Sequence, residues 1–315
     1  MNAKALAALL LSAVAVSAFA GEATLTRIDA PAGAPRTVAE AVLQLRANRA
    51  TRAAAAATAG VTSAKAAHRP GRIRPNVIEY ETADTAFLIP AAASAAGSNG
   101  TFFKSDLTLG NFNNTTQNIG VGWLVTGKDN TNAPLTFFTI PANSIVTLND
   151  FVGTTLKTSG LGALLFIAYD ATGQNTDDQA FIDGFSRIWT PQPGSAGTVS
   201  QSFPSVSLLD SSDNFTAFAL GLRQDASFRT NVGVVNLDTA PHTWTVASLN
   251  NTGKSFTITV PPFSLAQTGV PADFGGTGGN LSITFDVPDT NIFWSAYASS
   301  VDNVTGDGWV ARATQ

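Results

Sequence analysis

From residue 86 onward, apolar and polar residues alternate over short segments that turn-forming residues separate. In the first half these segments are 86–90, 118–125, 135–140, 163–169 and 180–189, and in the second half 217–222, 243–249, 255–260, 281–287 and 292–298. A period of two is typical of half-buried strands, and no helical period intervenes between the segments. The pattern predicts an all-β protein made of antiparallel β-sandwiches, with an immunoglobulin-like topology as first choice and a jelly roll as the alternative.

One motif occurs twice, at Phe103–Asn111 and at Phe228–Asn236, with an offset of 125 residues. Each copy runs aromatic, cation, hydroxyl and Asp or Asn, and then an apolar alternation that Asn closes. Further blocks match in the same order: Val121 and Leu124 with Val246 and Leu249, 140–144 with 260–264, and 162–164 with 279–281. A period of this length is the size of a domain, so we expect two tandem modules, at 81–206 and 207–315. Chance similarity between threonine- and glycine-rich strands is the alternative.

The motif residues have structural interpretations. Asn111 and Asn236 end their runs, and Asn tolerates the left-handed geometry of a turn. Lys104 and Arg229 are expected to lay their stems over apolar surface and to keep the charge in water. The functional alternative is that this pair of cations contacts a ligand.

The N-terminal 80 residues differ from the rest of the chain. Residues 1–20 have the features of a secretory signal, with Lys4 before an apolar run and a small-x-small pattern that predicts cleavage after Ala20. Thr37 and Glu40 have the spacing of a capping box, which predicts a helix of about 15 to 20 residues. We expect residues 21–80 to form a basic helical or disordered arm or linker, either a partly ordered stalk or a helix lying on an anionic membrane.

Charge and composition exclude some classes of function. Residues 1–80 carry 10 Lys or Arg and 4 acids, whereas residues 81–315 carry 8 and 18. The acidic body argues against binding of nucleic acid, which needs a basic face. The chain has no cysteine, so it has neither disulfides nor thiol chemistry. No segment after the signal is apolar enough to predict a transmembrane span, and we expect a secreted, periplasmic or cell-surface protein.

Several segments resemble a family of secreted bacterial proteins built from tandem β-sandwich modules. The resemblance is carried by Gly221–Ser227 leading into the motif at Phe228, by Ala296–Asn303 and by Gly197–Pro204, and it covers about residues 86–312. The resemblance implies a secreted β-sandwich protein. The family carries no catalytic signature that could be transferred to this chain.

Candidate chemistry is sparse. His68 and His242 are the two histidines of the chain, and no Gly-x-Ser-x-Gly elbow accompanies them, so a serine hydrolase is not indicated. Oxygen ligands near glycine make Asp302 and Asp307 weak candidates for binding calcium, and Asp177 and Asp178 form a second candidate pair. Neither loop matches the EF-hand, and surface hairpin turns are the alternative interpretation.

Tryptophan positions suggest where a ligand would bind. Trp123, Trp244 and Trp294 lie inside strand-like runs and are expected to pack in the cores. Trp189 and Trp309 lie beside Pro and Gly near the module ends, which makes them the candidates for exposed ligand contact. We therefore expect a non-enzymatic structural or adhesive protein that binds an extracellular protein or a glycan. A carbohydrate-binding module is the first alternative, and an unrecognised secreted hydrolase is the second.

Overall fold

The computed structural model describes residues 23–58, 85–97, 100–192, 194, 196–208, 216–289 and 292–314. The predicted signal peptide and residues 59–84 lie outside this part of the chain. The described residues are almost all β-structure, with one long helix. The predicted all-β sandwich fold is therefore confirmed.

In the described part of the first half there are ten strands and one long helix. They are β1 (Thr26–Ile28), α1 (Val38–Thr58), β2 (Ala86–Ala96), β3 (Phe102–Asn111), β4 (Gln117–Val125), β5 (Leu135–Ile140), β6 (Ser144–Leu148), β7 (Gly160–Tyr169), β8 (Ile182–Pro191), β9 (Thr198–Pro204) and β10 (Val206–Ser207). Eight strands lie in the second half as far as the structure describes it. They are β11 (Thr216–Arg223), β12 (Phe228–Asn236), β13 (His242–Ser248), β14 (Ser255–Val260), β15 (Ser264–Gly269), β16 (Asn280–Asp286), β17 (Trp294–Asp302) and β18 (Gly308–Arg312).

Each half is a sandwich of two antiparallel sheets. In the first half, sheet I has the order β1-β5-β4-β7-β2, with β10 also on β2, and sheet II has the order β6-β3-β8-β9. The two are joined because β2 pairs with β7 over most of its length and with β3 at its end. In the second half, sheet III has the order β11-β16-β13-β14 and sheet IV the order β15-β12-β17-β18. The order of eight successive strands is thus the same in both halves.

The central strands follow the immunoglobulin arrangement. In an immunoglobulin domain the second and fifth strands share one sheet, and the third and sixth share the other. Here β3 and β6 share sheet II, and β4 and β7 share sheet I. The first, fourth and seventh strands, β2, β5 and β8, lie in the opposite sheets from those that they occupy in an immunoglobulin constant domain. The same exchange occurs in the second half, at β11, β14 and β17.

Helix α1 begins at the predicted capping box. The Glu40 amide donates to Thr37 Oγ1 at 3.3 Å, and the Thr37 amide donates to Glu40 Oε2 at 3.3 Å. Val38, Val42 and Leu45 follow at helical spacing and are completely or almost completely buried. The predicted helix is therefore confirmed, at Val38–Thr58.

The helix lies on the face of sheet I that is turned away from sheet II. A Cβ atom added at Gly122 of β4 would lie only 2.7 Å from Cγ2 of Val38, so glycine allows this close approach. Leu135, Leu165 and Tyr169 line the same face and are buried. The sequence places α1 and β1 in an arm outside the sandwiches, and this placement is wrong. The outer face of sheet I is apolar and has to be covered, and β1 is paired with β5.

Sheet IV covers the rest of that face. β15 lies against β4 and β7, while β12 and β17 lie against β2. A single apolar cluster joins the first core to Val235, Leu237, Leu265, Phe293 and Tyr297 of the second half. A separate cluster fills the space between sheets III and IV. The sheets therefore follow one another in the order II, I, IV, III, with β9 at the edge of sheet II also lying against β18 of sheet IV. Helix α1 packs on sheet I beside sheet IV.

The closing asparagines of the motif do not adopt the left-handed conformation that we expected. Asn111 and Asn236 end β3 and β12, and both are fully buried. Asn111 Nδ2 donates to the carbonyls of Thr115, Ile140 and Pro141 at 2.9–3.1 Å. Positive φ occurs instead at the equivalent positions Asn143 and Phe263, 46° and 47°. The asparagines thus serve as buried hydrogen-bond donors.

Strand register tests the sequence alignment of the two halves. Gln117 faces Ile140 and His242 faces Val260, so the offset of 125 between β4 and β13 agrees with the register. The last block is shifted by two residues, because Val121 faces Phe166 whereas Val246 faces Phe285. Matching 162–164 with 279–281 was therefore wrong.

Candidate functional site

The contact between the two halves contains the main charged cluster that joins distant parts of the described chain. Arg46 of α1 reaches Asp238 Oδ1 at 3.2 Å and donates to the Leu237 carbonyl at 3.2 Å. Its guanidinium also lies over the ring of Phe293, 4.5 Å from the centroid. Across the cluster, His242 contacts Asp238 at 3.2 Å and Asp289 at 2.7 Å. The cluster ties the helix of the first half to the loops of the second.

The cluster favours the ionised form of Asp238. Burial opposes ionisation, but the Thr239 amide, the Arg46 guanidinium and the His242 ring outweigh it, so the pKa of Asp238 lies below its ordinary value. The Arg46 and Asp238 side chains are 25% and 16% exposed, so water screens this pair only partly. The pair is therefore a structural contact of the junction.

His242 does not have the geometry of a catalytic base. In a Ser–His–Asp triad one ring nitrogen faces a carboxylate and the other faces the nucleophile. Here Nδ1 faces Asp289 and Nε2 faces Asp238. Both ring nitrogens thus face carboxylates. The geometry therefore does not support a role for His242 in a catalytic triad. The sequence did not reveal these partners, because both acids lie in turns.

Apolar side chains supply most of the junction. Leu265 and Tyr297 of sheet IV are buried, and the Tyr297 hydroxyl donates to Gln267 Oε1 at 2.6 Å. Burial raises the pKa of the Tyr297 phenol well above its ordinary range. The Phe203 ring of β9 packs edge-on against the Tyr297 ring, with 5.1 Å between centroids. Residues of both halves thus share one core.

Backbone hydrogen bonds add to the junction. The Gly127 amide donates to the Leu265 carbonyl at 2.9 Å, and the Asn130 amide donates to the Pro262 carbonyl at 3.1 Å. Asn130 Nδ2 donates to the Phe263 carbonyl at 2.9 Å. The turn after β4 is therefore bound to the start of β15 and to the loop before it, which orients one sandwich on the other.

The predicted calcium loops are closed turns. Asp302 Oδ1 accepts from the amides of Val304 and Thr305 at 2.7 and 2.9 Å, and these bonds hold the pKa of Asp302 below its ordinary value. Asp307 Oδ1 accepts from the next amide, that of Gly308, at 2.9 Å. The described residues contain no group of three His, Cys, Asp or Glu that would hold a metal ion. These contacts favour the alternative interpretation, in which the loop is a surface hairpin turn.

The second candidate pair lies in the turn region after β7. Asp177 Oδ1 accepts from the Gln179 amide at 3.0 Å, and Asp178 is half-buried in the same turn. In the neighbouring turn, Asp170 bonds Thr172 and Asn175, at 2.6 and 3.1 Å. Asp170 Oδ1 also accepts from the Thr172 amide at 3.0 Å, so the oxygens of Asp170 and Asp177 serve to close these turns.

Trp189 and Trp309 lie in different sheets and do not form one site. Trp189 is half-buried on β8, with Arg187 above its ring at 5.8 Å. Trp309 is 37% exposed, and its indole N–H donates to the Gly221 carbonyl at 2.9 Å. Phe228 lies edge-on to it at 5.9 Å between centroids. Trp309 therefore closes one end of the second sandwich.

The other tryptophans and the two motif cations contact residues of their own sandwich. Trp244 and Trp294 are buried in the second core, and Trp123 is half-buried against the first. Arg229 donates to Asn303 Oδ1 at 2.8 Å, and Lys104 is the cross-strand neighbour of Trp189. None of the helices in the described ranges is both long and apolar enough to cross a membrane.

Comparison with known proteins adds no assignment. No family model matches the chain, and a search of curated proteins gives no match.

Proposed function

We propose that the chain is an exported, non-enzymatic protein with a structural or adhesive role. Support comes from the stack of four sheets, in which two sandwiches meet face to face through a shared apolar core. A compact stack of this kind holds the outer faces of sheets II and III in fixed positions. Loops and sheet faces on such a frame are suitable for contact with another macromolecule.

We also propose that the two halves arose by duplication of one sandwich. The supporting observation is that equivalent asparagines make equivalent bonds. Asn236 Nδ2 donates to the carbonyls of Ala240, Val260 and Pro261 at 2.8–3.2 Å, and Asn111 makes the matching set in the first half. Each buried asparagine thus donates to three carbonyls at equivalent positions. This is more specific support for duplication than a shared strand order is.

Export is proposed from the N-terminal sequence, with cleavage after Ala20. Mass spectrometry of the protein recovered from its native host tests this proposal. A mature N-terminus at Gly21 is expected, and recovery of the uncleaved chain from the cytoplasm would contradict export.

The adhesive role is tested with beads that carry the folded protein. We expect such beads to bind intact cell-envelope fragments of the host more strongly than beads that carry serum albumin. Binding equal to that of albumin would contradict the adhesive role. A polysaccharide panel monitored by tryptophan fluorescence tests the carbohydrate-binding alternative. Quenching that a Trp309→Ala substitution removes would favour that alternative over protein adhesion.

A further inference from the structure

The His242 side chain lies between two loops of the second half that reach the junction. Its Nδ1 is 2.7 Å from Asp289 Oδ2, and its Nε2 is 3.2 Å from Asp238 Oδ2. Asp238 belongs to the turn between β12 and β13, and Asp289 belongs to the loop between β16 and β17. The side chain of His242 is only 10% exposed, so water replaces these contacts poorly. The ring therefore ties the two loops together.

The same positions of the first half carry neutral amides. The offset of 125 places Gln117 at the position of His242 and Asn113 at that of Asp238, in agreement with the register of β4 and β13. The backbone amides of Asn113 and Asp238 also both donate to the closing asparagine of their motif. Asn113 Nδ2 donates to Gln117 Oε1 at 3.2 Å, and Gln117 Nε2 donates to the Tyr169 carbonyl at 2.6 Å. Side-chain amides do not titrate, so these bonds are independent of pH.

The second half can make both of its bonds only while His242 is charged. An ionised carboxylate accepts hydrogen bonds and donates none, whereas a neutral imidazole has one N–H group and an imidazolium has two. When the ring is neutral, one of its nitrogens therefore presents a lone pair to a carboxylate oxygen. Histidine side chains ordinarily change charge between about pH 5 and pH 8. One of the two contacts is thus lost within this range.

Asp289 is the partner that a neutral ring would release. The Asp238 carboxylate is 16% exposed, and it also accepts from Arg46 at 3.2 Å and from the Thr239 amide at 2.7 Å. Asp289 is 51% exposed, so its carboxylate can turn into water at little cost. The single remaining N–H group is therefore best used on Asp238, which water reaches less well.

The other neighbours of the ring do not compete for its nitrogens. The Trp244 ring lies edge-on to it, with 6.0 Å between centroids, and Val260 is its cross-strand neighbour on β14. The guanidinium of Arg46, from α1, bonds Asp238 on the far side of that carboxylate. The charged groups that face His242 or its partners, within the described part of the chain, are thus the two acids and this arginine.

The loop that carries Asp289 also contributes directly to the junction. Its Phe293 lies under the Arg46 guanidinium, 4.5 Å from ring centroid to Cζ, and belongs to the apolar cluster shared by the two halves. The Phe293 carbonyl accepts from the Leu237 amide at 2.8 Å. The bond between Leu237 and Phe293 therefore joins the same two loops that His242 bridges.

We propose that His242 is a pH-sensitive latch at the junction of the two halves. As an imidazolium it holds the β16–β17 loop on the β12–β13 turn, and loss of its proton releases Asp289. The equivalent pair of the first half, Asn113 and Gln117, stays bonded at any pH. The acidity of the surroundings would thus set how firmly the second sandwich is held on α1. This role goes beyond the structural or adhesive function and does not depend on it.

Hydrogen exchange of the Leu237 amide, measured by NMR on the folded full chain, tests the latch. Its protection factor, corrected for intrinsic exchange, should fall about three- to tenfold between about pH 5.5 and pH 8, as expected for the loss of one charge-assisted, half-exposed hydrogen bond. The Phe112 amide is the internal control, because it donates to the Phe181 carbonyl at 3.0 Å at the equivalent position of the first half. The ratio of the two protection factors removes any change in global stability.

Two substitutions should make this ratio independent of pH. His242→Gln restores the residue of the first half, which does not titrate. Asp289→Asn supplies a side chain that both donates and accepts, so it can bond the ring in either charge state. Asp307→Asn is the matched control, because Asp307 is an exposed acid in the turn beyond the other end of β17. This control should keep the pH dependence of the wild type.

The latch is refuted if the ratio in the wild type stays constant over the range. It is equally refuted if His242→Gln or Asp289→Asn keeps the full wild-type fall, or if Asp307→Asn removes it. Should His242→Gln fail to fold, the wild type decides by itself. The backbone amide shift of Asp289 is then expected to follow the titration of the His242 ring, and an Asp289 shift that does not move while the ring titrates would overturn the proposal.

Discussion

Replacing Asn236 by alanine tests the role assigned to the buried asparagines. The side chain donates to three carbonyls and accepts from the Asp238 amide at 2.9 Å, all in a site that water does not reach. Alanine would remove these bonds at once and leave a small cavity. Each buried polar group that loses its partner lowers the free energy of unfolding by about 1–3 kcal/mol. Several groups lose a partner here, but a water molecule that enters the cavity would satisfy some of them, so we expect a total loss of about 3 kcal/mol.

The assay is equilibrium unfolding in urea at neutral pH, with the midpoint and slope both measured. Asn111→Ala should lose a similar amount, because its amide makes the equivalent bonds in the first half. Asn231→Ala is the control, since Asn231 lies half-buried on the same strand as Asn236. It should change the free energy of unfolding by less than about 0.5 kcal/mol. If Asn236→Ala were as mild as this control, the asparagines would not hold the turns together.

Other substitutions test the junction and the turns. Arg46→Met should cost about 2 kcal/mol at pH 7 through its lost ion pair, hydrogen bond and ring contact. Because the folded pKa of Asp238 is depressed, the stability from its ionised form is present above the unfolded pKa of about 3.9 and is lost as the pH falls through the folded pKa. The difference between wild type and Arg46→Met should therefore narrow toward pH 3, and a constant difference would contradict the ion pair. Gly122→Ala should cost about 1–3 kcal/mol by displacing Val38, whereas Gly269→Ala, which has room, should cost less. A chelator should leave the melting temperature unchanged, and a marked fall would restore the calcium hypothesis for the hairpin between β17 and β18.

Alternation of apolar and polar residues was sufficient to locate most strands. The segments 135–140 and 255–260 coincide with β5 and β14, because each strand has one buried face and turn-forming residues at its ends. The capping box gave the start of α1 for a similarly local reason. Hydrogen bonds between neighbours in the chain decide such features.

Contacts between distant residues were not predictable in the same way. The partners of Arg46 follow it by almost 200 residues, and no local pattern links them. Helix α1 was expected in a basic arm, although Arg46 is committed to the junction. The αL interpretation of Asn111 used a turn preference of Asn, and burial with three carbonyl acceptors overrides that preference.

Positions available for ligand contact were harder to predict from the sequence than the strands were, because the exposure of a side chain depends on which sheet face another sheet covers. Trp189 and Trp309 were both expected to be exposed because they lie beside Pro and Gly, yet Trp189 is half-buried whereas Trp309 is 37% exposed. Phe112 and Leu237 occupy equivalent positions in the repeat, and only the stacking of the sheets makes one exposed and the other buried. Sequence alternation is the same in both cases.

Cleavage of the chain between the two sandwiches tests the central claim most directly. A protease site inserted between Leu208 and Thr216 would separate the halves covalently without altering the junction residues. The shared core and the Arg46 cluster predict that both pieces co-elute in native size-exclusion chromatography and unfold in a single transition. Two pieces that elute apart, each folded and each with its own melting transition, would contradict a common core.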